Sequence, residues 1–376
     1  MRNFIDIEDI VHPYFGTSLS NWLRLLWENK GVDIKVIPYA LVITLVIVIL
    51  SPARYITNII LKSRIRKIEV KPSPIFIMGH WRSGTTFLHN LISSSGKFGY
   101  INTFESFFPD FSLFVRGEKS LFGRFARKTT IKRLQDNVDV NVMDSPAEEE
   151  TAIANKTHNS FYHGLIFRRA YKASFKKYML IDNPAGEGVW KKNYENVMRQ
   201  MTAVTDKRLL IKNPFNMTKI KLLLDLYPDA KFIYIYRNPY DVYLSTKNLH
   251  KKMAVKALQK IDEDVMNNFI LDSYVKIMER FKRDVSLIPT GNITSVRYED
   301  IECDPLGELQ RVYKDIGLED FENDKVHFQA YLDSVSNYKK NSYSHETAET
   351  EKISNVLGSF IKEMGYEIPV KQAIEN

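Results

Sequence analysis

Residues 74–92 read PIFIMGHWRSGTTFLHNLI, and this stretch decides the fold. The apolar run at 74–79 predicts a buried strand, and residues 85–94 predict the helix that follows it. The loop between them turns backbone N–H groups toward one point, where the helix N-terminus adds a partial positive charge. The stretch therefore predicts an anion-binding loop at the start of an α/β domain.

The alternation of apolar strand and helix continues along the chain. Strands are predicted at 209–212, 231–236 and 293–298, and helices at 216–226, 240–250 and 306–316. Apolar strands separated by helices are typical of a parallel sheet covered on both faces. We therefore expect an α/β fold, a P-loop-type parallel sheet flanked by helices on both faces, with ligands at the carboxyl ends of the strands.

The loop carries side chains suited to an anion. Arg82 can grip phosphate or sulfate oxygens through two bonds. Ser83, Thr85 and Thr86 add hydroxyl donors, although they could instead cap the helix. The spacing matches GxxxxGK[ST] as far as Gly84, but Thr85 stands where that motif has lysine. The missing lysine argues against triphosphate chemistry and for a shorter anion.

A second anion site is predicted after the strand at 231–236. Arg237 lies at the carboxyl end of that strand, and Ser245 follows about two turns into the next helix. Taken alone, Arg237 could form a structural ion pair with Asp241. Together with the first loop, the arginine and serine favour a ligand with two anionic ends.

The composition excludes several classes of protein. With 44% hydrophobic and 26% charged residues, the 376-residue chain is folded rather than disordered. The net charge of +8 favours anionic partners, but the basic residues are scattered, so we predict no nucleic-acid partner. The single cysteine, Cys303, allows no internal disulfide and is typical of a reducing compartment. No feature indicates an oligomeric state.

An N-terminal hydrophobic helical extension is predicted to contact a membrane. Residues 36–50, VIPYALVITLVIVIL, cover roughly 22 Å as a helix, short of a bilayer core of about 30 Å. A short transmembrane span, a helix in the interface and a buried core helix are all compatible with that length. Trp22 and Trp27, in the amphipathic helix before it, could anchor at the interface or pack against the domain.

Basic residues follow the apolar run, beginning with Lys62 and Arg64. This flank predicts that the main domain faces the cytoplasm, on a membrane that it either contacts peripherally or anchors to by a single span. We accordingly divide the chain into membrane-contacting helices at 1–70 and a catalytic domain at 71–376.

Three segments resemble the signatures of the sulfotransferases that use 3′-phosphoadenosine 5′-phosphosulfate (PAPS). They are GHWRSGTTFLHNL at 79–91, YRNPYDVYLSTK at 236–247 and VRYEDIECDP at 296–305. The matches span about residues 74 to 345. The resemblance implies an enzyme that transfers the sulfuryl group of PAPS to an acceptor hydroxyl and releases adenosine 3′,5′-bisphosphate (PAP).

The resemblance also assigns roles in donor binding. Arg237 and Ser245 are implied to hold the 3′-phosphate. The residues implied to hold the 5′-phosphosulfate are Arg82, Ser83, Gly84, Thr85 and Thr86. The segment at 338–343, which includes Lys340, is either a lid that touches the 3′-phosphate or a solvated charge run.

The chain is closer to one branch of that family than to another. Cytosolic aryl and steroid sulfotransferases have lysine in the loop and a catalytic histidine, whereas here the loop has Arg82 and the segment 212–215 reads KNPF. Tyrosylprotein sulfotransferases and their bacterial relatives are more similar, with an arginine loop, a Lys-x-Pro segment and a glutamate base. Glu105, at a similar distance after the loop, is therefore the expected catalytic base.

Other groups complete the expected chemistry. A carboxylate among aromatic residues, like Glu105, suits a general base, and the carboxylates at 144–150 are alternatives. His158 and His163 are weaker candidates. Arg82 and Lys212 are expected to offset charge on the leaving phosphate. No His/Cys cluster has ligand spacing, so no metal is expected.

The acceptor is not specified by a motif. Seven aromatic residues between 98 and 114, beside Glu105, together with the membrane-seeking leader, favour a hydrophobic alcohol such as a lipid, sterol or steroid. Core packing could explain the same side chains. A carbohydrate is the second choice and a protein tyrosine the third. A membrane-anchored P-loop nucleotide-binding module is the alternative of a different class.

Overall fold

The computed structural model describes residues 12–116, 123, 130–132, 139–336 and 347–368. The strands are Ile75–Met78 (β1), Thr130–Lys132 (β2), Asp139–Asn141 (β3), Leu210–Lys212 (β4), Lys231–Tyr236 (β5) and Ile293–Arg297 (β6). A four-stranded parallel sheet has the order β4-β1-β5-β6, and β2 pairs with β3 as a separate antiparallel ribbon. The predicted parallel α/β sheet is confirmed.

The helices account for most of the rest of the described chain. The α-helices are Leu19–Glu28 (α1), Ile37–Ile65 (α2), Thr85–Ser93 (α3), Thr103–Phe107 (α4), Ser112–Val115 (α5), Glu149–Lys156 (α6), Tyr162–Ile166 (α7), Tyr171–Ser174 (α8), Pro184–Thr205 (α9), Ile220–Leu226 (α10), Pro239–Met253 (α11), Glu263–Asp284 (α12), Tyr298–Cys303 (α13), Pro305–Asp315 (α14), Phe321–Ser334 (α15) and Thr347–Glu363 (α16). Short 3₁₀ helices include Pro13–Gly16, Ile34–Val36, Pro109–Phe111, Arg168–Ala170, Pro214–Thr218, Ala254–Lys256 and Val285–Leu287, and Phe175–Leu180 is a π-helix.

The sheet separates two hydrophobic cores. Side chains alternate along β1, so Phe76 packs with residues of α9 and α12 on one face, whereas Ile77 packs with α3 and α14 on the other. Both faces are therefore covered by helices, as the uninterrupted apolar strands predict. All four strands run the same way, so the segments that follow β1, β4 and β5 meet at one edge.

The N-terminal helices α1 and α2 pack against later parts of the chain. In a third core cluster, Ile43 of α2 and Trp22 of α1 lie with Phe167. The Trp22 indole N–H donates to the Thr44 hydroxyl at 2.8 Å, which ties α1 to α2. Trp22 is fully buried and packs in the core, whereas Trp27 is 81% exposed to solvent. Only Trp27 remains available as an interfacial anchor.

The apolar run at 36–50 belongs to a longer helix. One helical stretch, Ile34–Ile65, is long and apolar enough to cross a membrane by length and composition. Its α-helical part, α2, begins with Pro38 in the first turn and continues through Pro52.

Candidate active site

The loop between β1 and α3 has the compact geometry that its sequence predicts. Arg82 and Gly84 have left-handed backbones, with φ of +69° and +98°. A Cβ on Gly84 would lie 2.2 Å from the Tyr298 ring, so glycine is required there. The buried Ser83 hydroxyl donates to the His80 carbonyl oxygen at 2.8 Å, which holds the turn closed.

Thr85 and Thr86 form the first turn of α3. The N–H groups of a first helical turn have no partners within the helix. Together with the partial positive charge of the helix terminus, they make the end of the loop a suitable place for an anion.

Tyr298 joins this loop to the second predicted anion site. Its ring packs against Gly84, and the guanidinium carbon of Arg237 lies 4.6 Å from the ring centroid. Arg237 also donates to Asp241 at 3.2 Å, the ion pair considered from the sequence. Its Nε is buried, and the described structure provides no hydrogen-bond partner for it. An unpaired buried guanidinium nitrogen is a ready donor for an anion.

Arg82 connects the two predicted anion sites directly. Its Nε donates to the Ser245 hydroxyl at 2.8 Å, although the two residues are 163 positions apart. Arg82 follows β1 and Ser245 lies in α11, which follows β5. The two predicted sites therefore lie side by side at the carboxyl edge of the sheet.

Lys212 is the last residue of β4, at the same edge. Its ammonium nitrogen lies 2.7 Å from Oε1 of Glu148, the residue before α6. The Lys212 side chain is 5% exposed and that of Glu148 is 33% exposed, so the carboxylate reaches solvent beside an enclosed cation. Burial, reinforced by the Glu148 charge, raises the pKa of the Tyr162 hydroxyl.

Glu105 caps a short helix and pairs with a neighbouring arginine. Asn102 and Glu105 form a capping box at the start of α4. The Glu105 carboxylate accepts hydrogen bonds from Arg116 at 2.6 and 3.0 Å and from the Asn102 N–H at 3.1 Å. Both of its oxygens are thus engaged by neighbours in the same segment.

A buried polar network lies beneath the Lys212–Glu148 pair. The Glu149 carboxylate accepts hydrogen bonds from Asn213 at 3.0 Å, Asn216 at 3.2 Å and the Tyr194 hydroxyl at 3.1 Å. Burial raises the pKa of Glu149 to about 7 despite these donors. Because Glu149 follows Glu148 and Asn213 follows Lys212, the network fixes the two ends of the ion pair.

Of the two histidines considered as weaker candidates, His163 has two close partners within the fold. His163 is buried, its Nδ1 lies 2.6 Å from the Tyr14 hydroxyl, and its Nε2 lies 2.9 Å from the Thr157 carbonyl oxygen. Burial lowers the pKa of His163 to about 4. Burial also lowers the pKa of the half-buried His158.

The aromatic residues between 98 and 114 divide between core and surface. Phe98 belongs to the hydrophobic core beside α3, whereas Phe114 is exposed. Phe104 and Phe108 stack with centroids 5.0 Å apart. In the loop itself, the Trp81 ring packs edge-on against Phe215 at 5.5 Å. Part of the expected apolar wall is therefore core packing.

Glu148 belongs to the carboxylates at 144–150 that the sequence offered as alternatives to Glu105. It pairs with Lys212 and directly precedes the acidic first turn of α6. Lys340 and the segment at 338–343 lie outside the described residues. Within the described ranges, no group of three or more His, Cys, Asp or Glu residues could hold a metal ion.

A phosphate-type loop without lysine, joined to a second basic site on a parallel sheet, defines a class of group-transfer enzyme. The model of the sulfotransferase family matches residues 74–323, and the chain belongs to this family. It is an enzyme of the transferase class, and the match covers every predicted site residue except Lys340.

Known relatives extend the likeness over almost the whole chain. The chain is 29% identical over 359 residues to omega-hydroxy-beta-dihydromenaquinone-9 sulfotransferase Stf3 of Mycobacterium bovis, covering 94% of this chain and 91% of the relative. The Mycobacterium tuberculosis protein of the same name matches equally.

Solved structures show the same fold. Sulfotransferase STF9 from Mycobacterium avium superposes with a TM-score of 0.65 at 13% identity, covering 94% of this chain and 98% of that one. Sulfotransferase STF1 from M. tuberculosis gives a TM-score of 0.60 at 15% identity, with 91% of each chain covered.

Proposed function

We propose that the enzyme transfers the sulfuryl group of PAPS to the hydroxyl of a hydrophobic alcohol, and so forms a sulfate ester and PAP. The observation that carries the proposal is the hydrogen bond between Arg82 and Ser245, which supports two adjacent cationic sites. A nucleotide with phosphates on the 3′ and 5′ carbons of one ribose suits this arrangement.

In the donor complex, the loop holds the 5′-phosphosulfate and the second site holds the 3′-phosphate. Arg237 supplies its buried, unpaired Nε to the 3′-phosphate, and Ser245 adds a hydroxyl. Lys340 adds a further cation in the proposed complex. The residues that hold the 5′-phosphosulfate are Arg82, Ser83, Gly84, Thr85 and Thr86. No metal takes part in this proposal.

The contacts favour Glu148 as the catalytic base. The acceptor hydroxyl gives its proton to a carboxylate, its oxygen bonds to sulfur, and the bond between sulfur and the phosphate oxygen breaks. Lys212, 2.7 Å from Glu148, lies where it can offset the charge on the departing phosphate together with Arg82. Glu105 as base stays a prediction. Both of its oxygens accept hydrogen bonds and its side chain is 4% exposed, whereas the Glu148 side chain is 33% exposed.

A lipophilic acceptor is supported by two observations. The relatives that match along 94% of the chain are named for an omega-hydroxylated dihydromenaquinone. In this chain, Phe104 and Phe108 stack beside the segment that leads to Glu148, and Phe104 N–H donates to the Val142 carbonyl oxygen at 2.8 Å. We propose an isoprenoid or other lipid alcohol, received by the enzyme at the cytoplasmic face of a membrane.

The proposal is tested with ³⁵S-labelled PAPS and pooled acceptors. Pools of hydroxylated isoprenoid lipids, sterols, glycans and tyrosine peptides are incubated separately with the full chain. Label is expected in the organic phase of the isoprenoid pool. Label confined to the glycan pool would replace the acceptor class, and no transfer to any pool, together with no binding of PAP, would refute the activity.

A further inference from the structure

Helix α2 has two apolar faces with different environments. The inner face, which includes Ile43, Ile47 and Leu61, is buried against the domain. The outer face consists of exposed apolar residues at helical spacing: Leu41, Leu45, Val48, Ile49, Tyr55, Ile56, Ile59 and Ile60. A helix that is apolar all round needs an apolar environment on every side. The rest of the protein covers only its inner face.

A buried ion cluster fastens the middle of α2 to the domain. Arg54 Nε lies 2.5 Å from Asp110 Oδ2, and Lys156 Nζ lies 2.7 Å from Asp110 Oδ1. Burial would raise the pKa of Asp110, but Lys156 and Arg54 outweigh it and hold the pKa below its usual value. Separating Arg54 from Asp110 would remove one of the two cations that pair with this buried carboxylate, which opposes movement of the helix away from the domain.

This attachment conflicts with a transmembrane span. The 29 residues of α2 extend about 44 Å, and its inner face has buried residues from Ala40 to Ile65. This face packs on α1 and Phe167 near its start and is held by Asp110 further along. A helix fixed along one face to the folded protein cannot cross a bilayer without drawing its charged neighbours into the lipid.

The charges around α2 identify the surface that completes it. No Asp or Glu occurs from Ile34 to Ile68, whereas basic residues lie at both ends of the outer face. These exposed basic residues are Lys35, Lys62, Arg64, Arg66 and Lys67. An apolar stripe with cationic ends complements acyl chains bordered by anionic headgroups.

We propose that α2 lies parallel to the membrane, in one leaflet of an anionic bilayer, with both ends on the side of the catalytic domain. The inference rests on the proposed membrane association and adds its geometry. Trp27, 81% exposed at the end of α1, sits at the headgroup level.

The binding test uses vesicles of zwitterionic lipid with and without 30% anionic phosphatidylglycerol, mixed with the full chain and sedimented. Leu45→Glu/Ile49→Glu changes two side chains that are 59% and 65% exposed, so the fold should persist. We expect partitioning to fall by at least about 100-fold, since each apolar side chain contributes roughly 1.5–3 kcal/mol when buried. Val326→Glu, at an equally exposed site of 66%, is the matched control and should bind normally.

The topology test uses Cys303→Ser chains with a single cysteine, Lys35→Cys or Lys67→Cys, in spheroplasts of a bacterial host. If α2 lies in one leaflet, an impermeant maleimide labels neither cysteine in intact spheroplasts and both after lysis. Labelling of one end alone in intact spheroplasts would show a span and overturn this geometry while leaving the membrane association intact.

Absence of binding to either kind of vesicle would overturn both the association and the geometry. A dimer in solution that Leu45→Glu/Ile49→Glu dissociates, without vesicle binding, would assign the outer face of α2 to a second copy instead. Equal binding with and without phosphatidylglycerol would remove the headgroup part of the proposal.

Discussion

The guanidinium of Arg82 and the hydroxyl of Ser245 lie 2.8 Å apart, so a hydrogen bond joins the loop after β1 to the helix after β5. The sheet brings them together because β1 and β5 are adjacent and parallel. Each motif alone predicts an anion site, and the bond between them makes the two predicted sites adjacent.

Removing either arginine of these two sites should weaken donor binding. Each charge-assisted hydrogen bond contributes about 1.5–3 kcal/mol, so Arg82→Ala and Arg237→Ala should each raise the dissociation constant for PAP by roughly 10- to 150-fold. Isothermal titration calorimetry with PAP measures the change. Arg24→Ala, which removes an exposed residue paired with Glu28, is the control and should bind PAP normally. Unaltered affinity in both site variants would contradict the assignment.

The two candidate bases can be separated by paired substitutions. Glu148→Gln should lower kcat by about 10²- to 10⁴-fold while PAP binding is retained, because the acceptor loses its proton acceptor. Single-turnover transfer from labelled PAPS measures this directly.

Glu105→Gln should instead affect folding. The change leaves Arg116 without a charged partner and weakens the capping box, which should cost about 1–3 kcal/mol of unfolding free energy. Denaturant titration gives this value. If Glu105→Gln abolished turnover without changing stability or PAP binding, the base would be Glu105.

Gly84→Ala should disrupt the loop because the added Cβ would collide with the Tyr298 ring, and Gly96→Ala serves as the control for backbone strain. Gly84 and Gly96 both have positive φ, but an added Cβ meets the Tyr298 ring at 2.2 Å at Gly84 and meets nothing within 4 Å at Gly96. Backbone strain of about 1 kcal/mol is common to both variants. PAP affinity should therefore fall at least about tenfold in Gly84→Ala and stay unchanged in Gly96→Ala. Equal effects would show that Tyr298 adjusts freely.

The stability of the enzyme should depend on pH through Glu149. Its pKa is about 7 in the folded protein, against an ordinary 4.5, so between these values the folded state binds more protons than the unfolded state. The contribution of Glu149 to stability is therefore complete below pH 4.5 and decreases as pH rises to about 7. The loss should reach about 3 kcal/mol.

Urea denaturation at pH 5, 6, 7 and 8 measures this dependence. Glu149→Gln, which cannot ionise, should show a flatter profile over that range, whereas Glu363→Gln, at an exposed position, should follow the wild-type profile. A wild-type slope that persists in Glu149→Gln would assign the titration to another group.

The strands and the loop could be predicted because their signals are local. The apolar run before Gly79 and the left-handed glycine position at 84 are properties of a few adjacent residues. Predicted strand bounds agree with the structure to within a residue at β1, β4, β5 and β6. Glu148 and Lys212, by contrast, meet through a contact 64 residues apart that no short pattern encodes.

The surroundings of Glu105 and of α2 also depend on contacts that short sequence patterns do not encode. Nothing near Glu105 in the sequence shows that Arg116, eleven positions later, folds back onto its carboxylate. The length of the apolar run could not distinguish a span from an interfacial helix. The proposed interfacial position of α2 depends on Asp110, a residue of a distant segment that pairs with both Arg54 and Lys156 in the folded chain.

The packing of α2 has a practical consequence for making the enzyme without detergent. Deleting the N-terminal helices would expose Ile166, Phe167 and Leu258, which they now cover. The exposed apolar face of α2 would then be replaced by a new exposed apolar surface on the rest of the protein. Replacing only exposed residues such as Leu45 and Ile56 with hydrophilic ones leaves the buried contacts of α2 intact. Variants for crystallisation should therefore carry substitutions on the outer face of α2 and retain the helix.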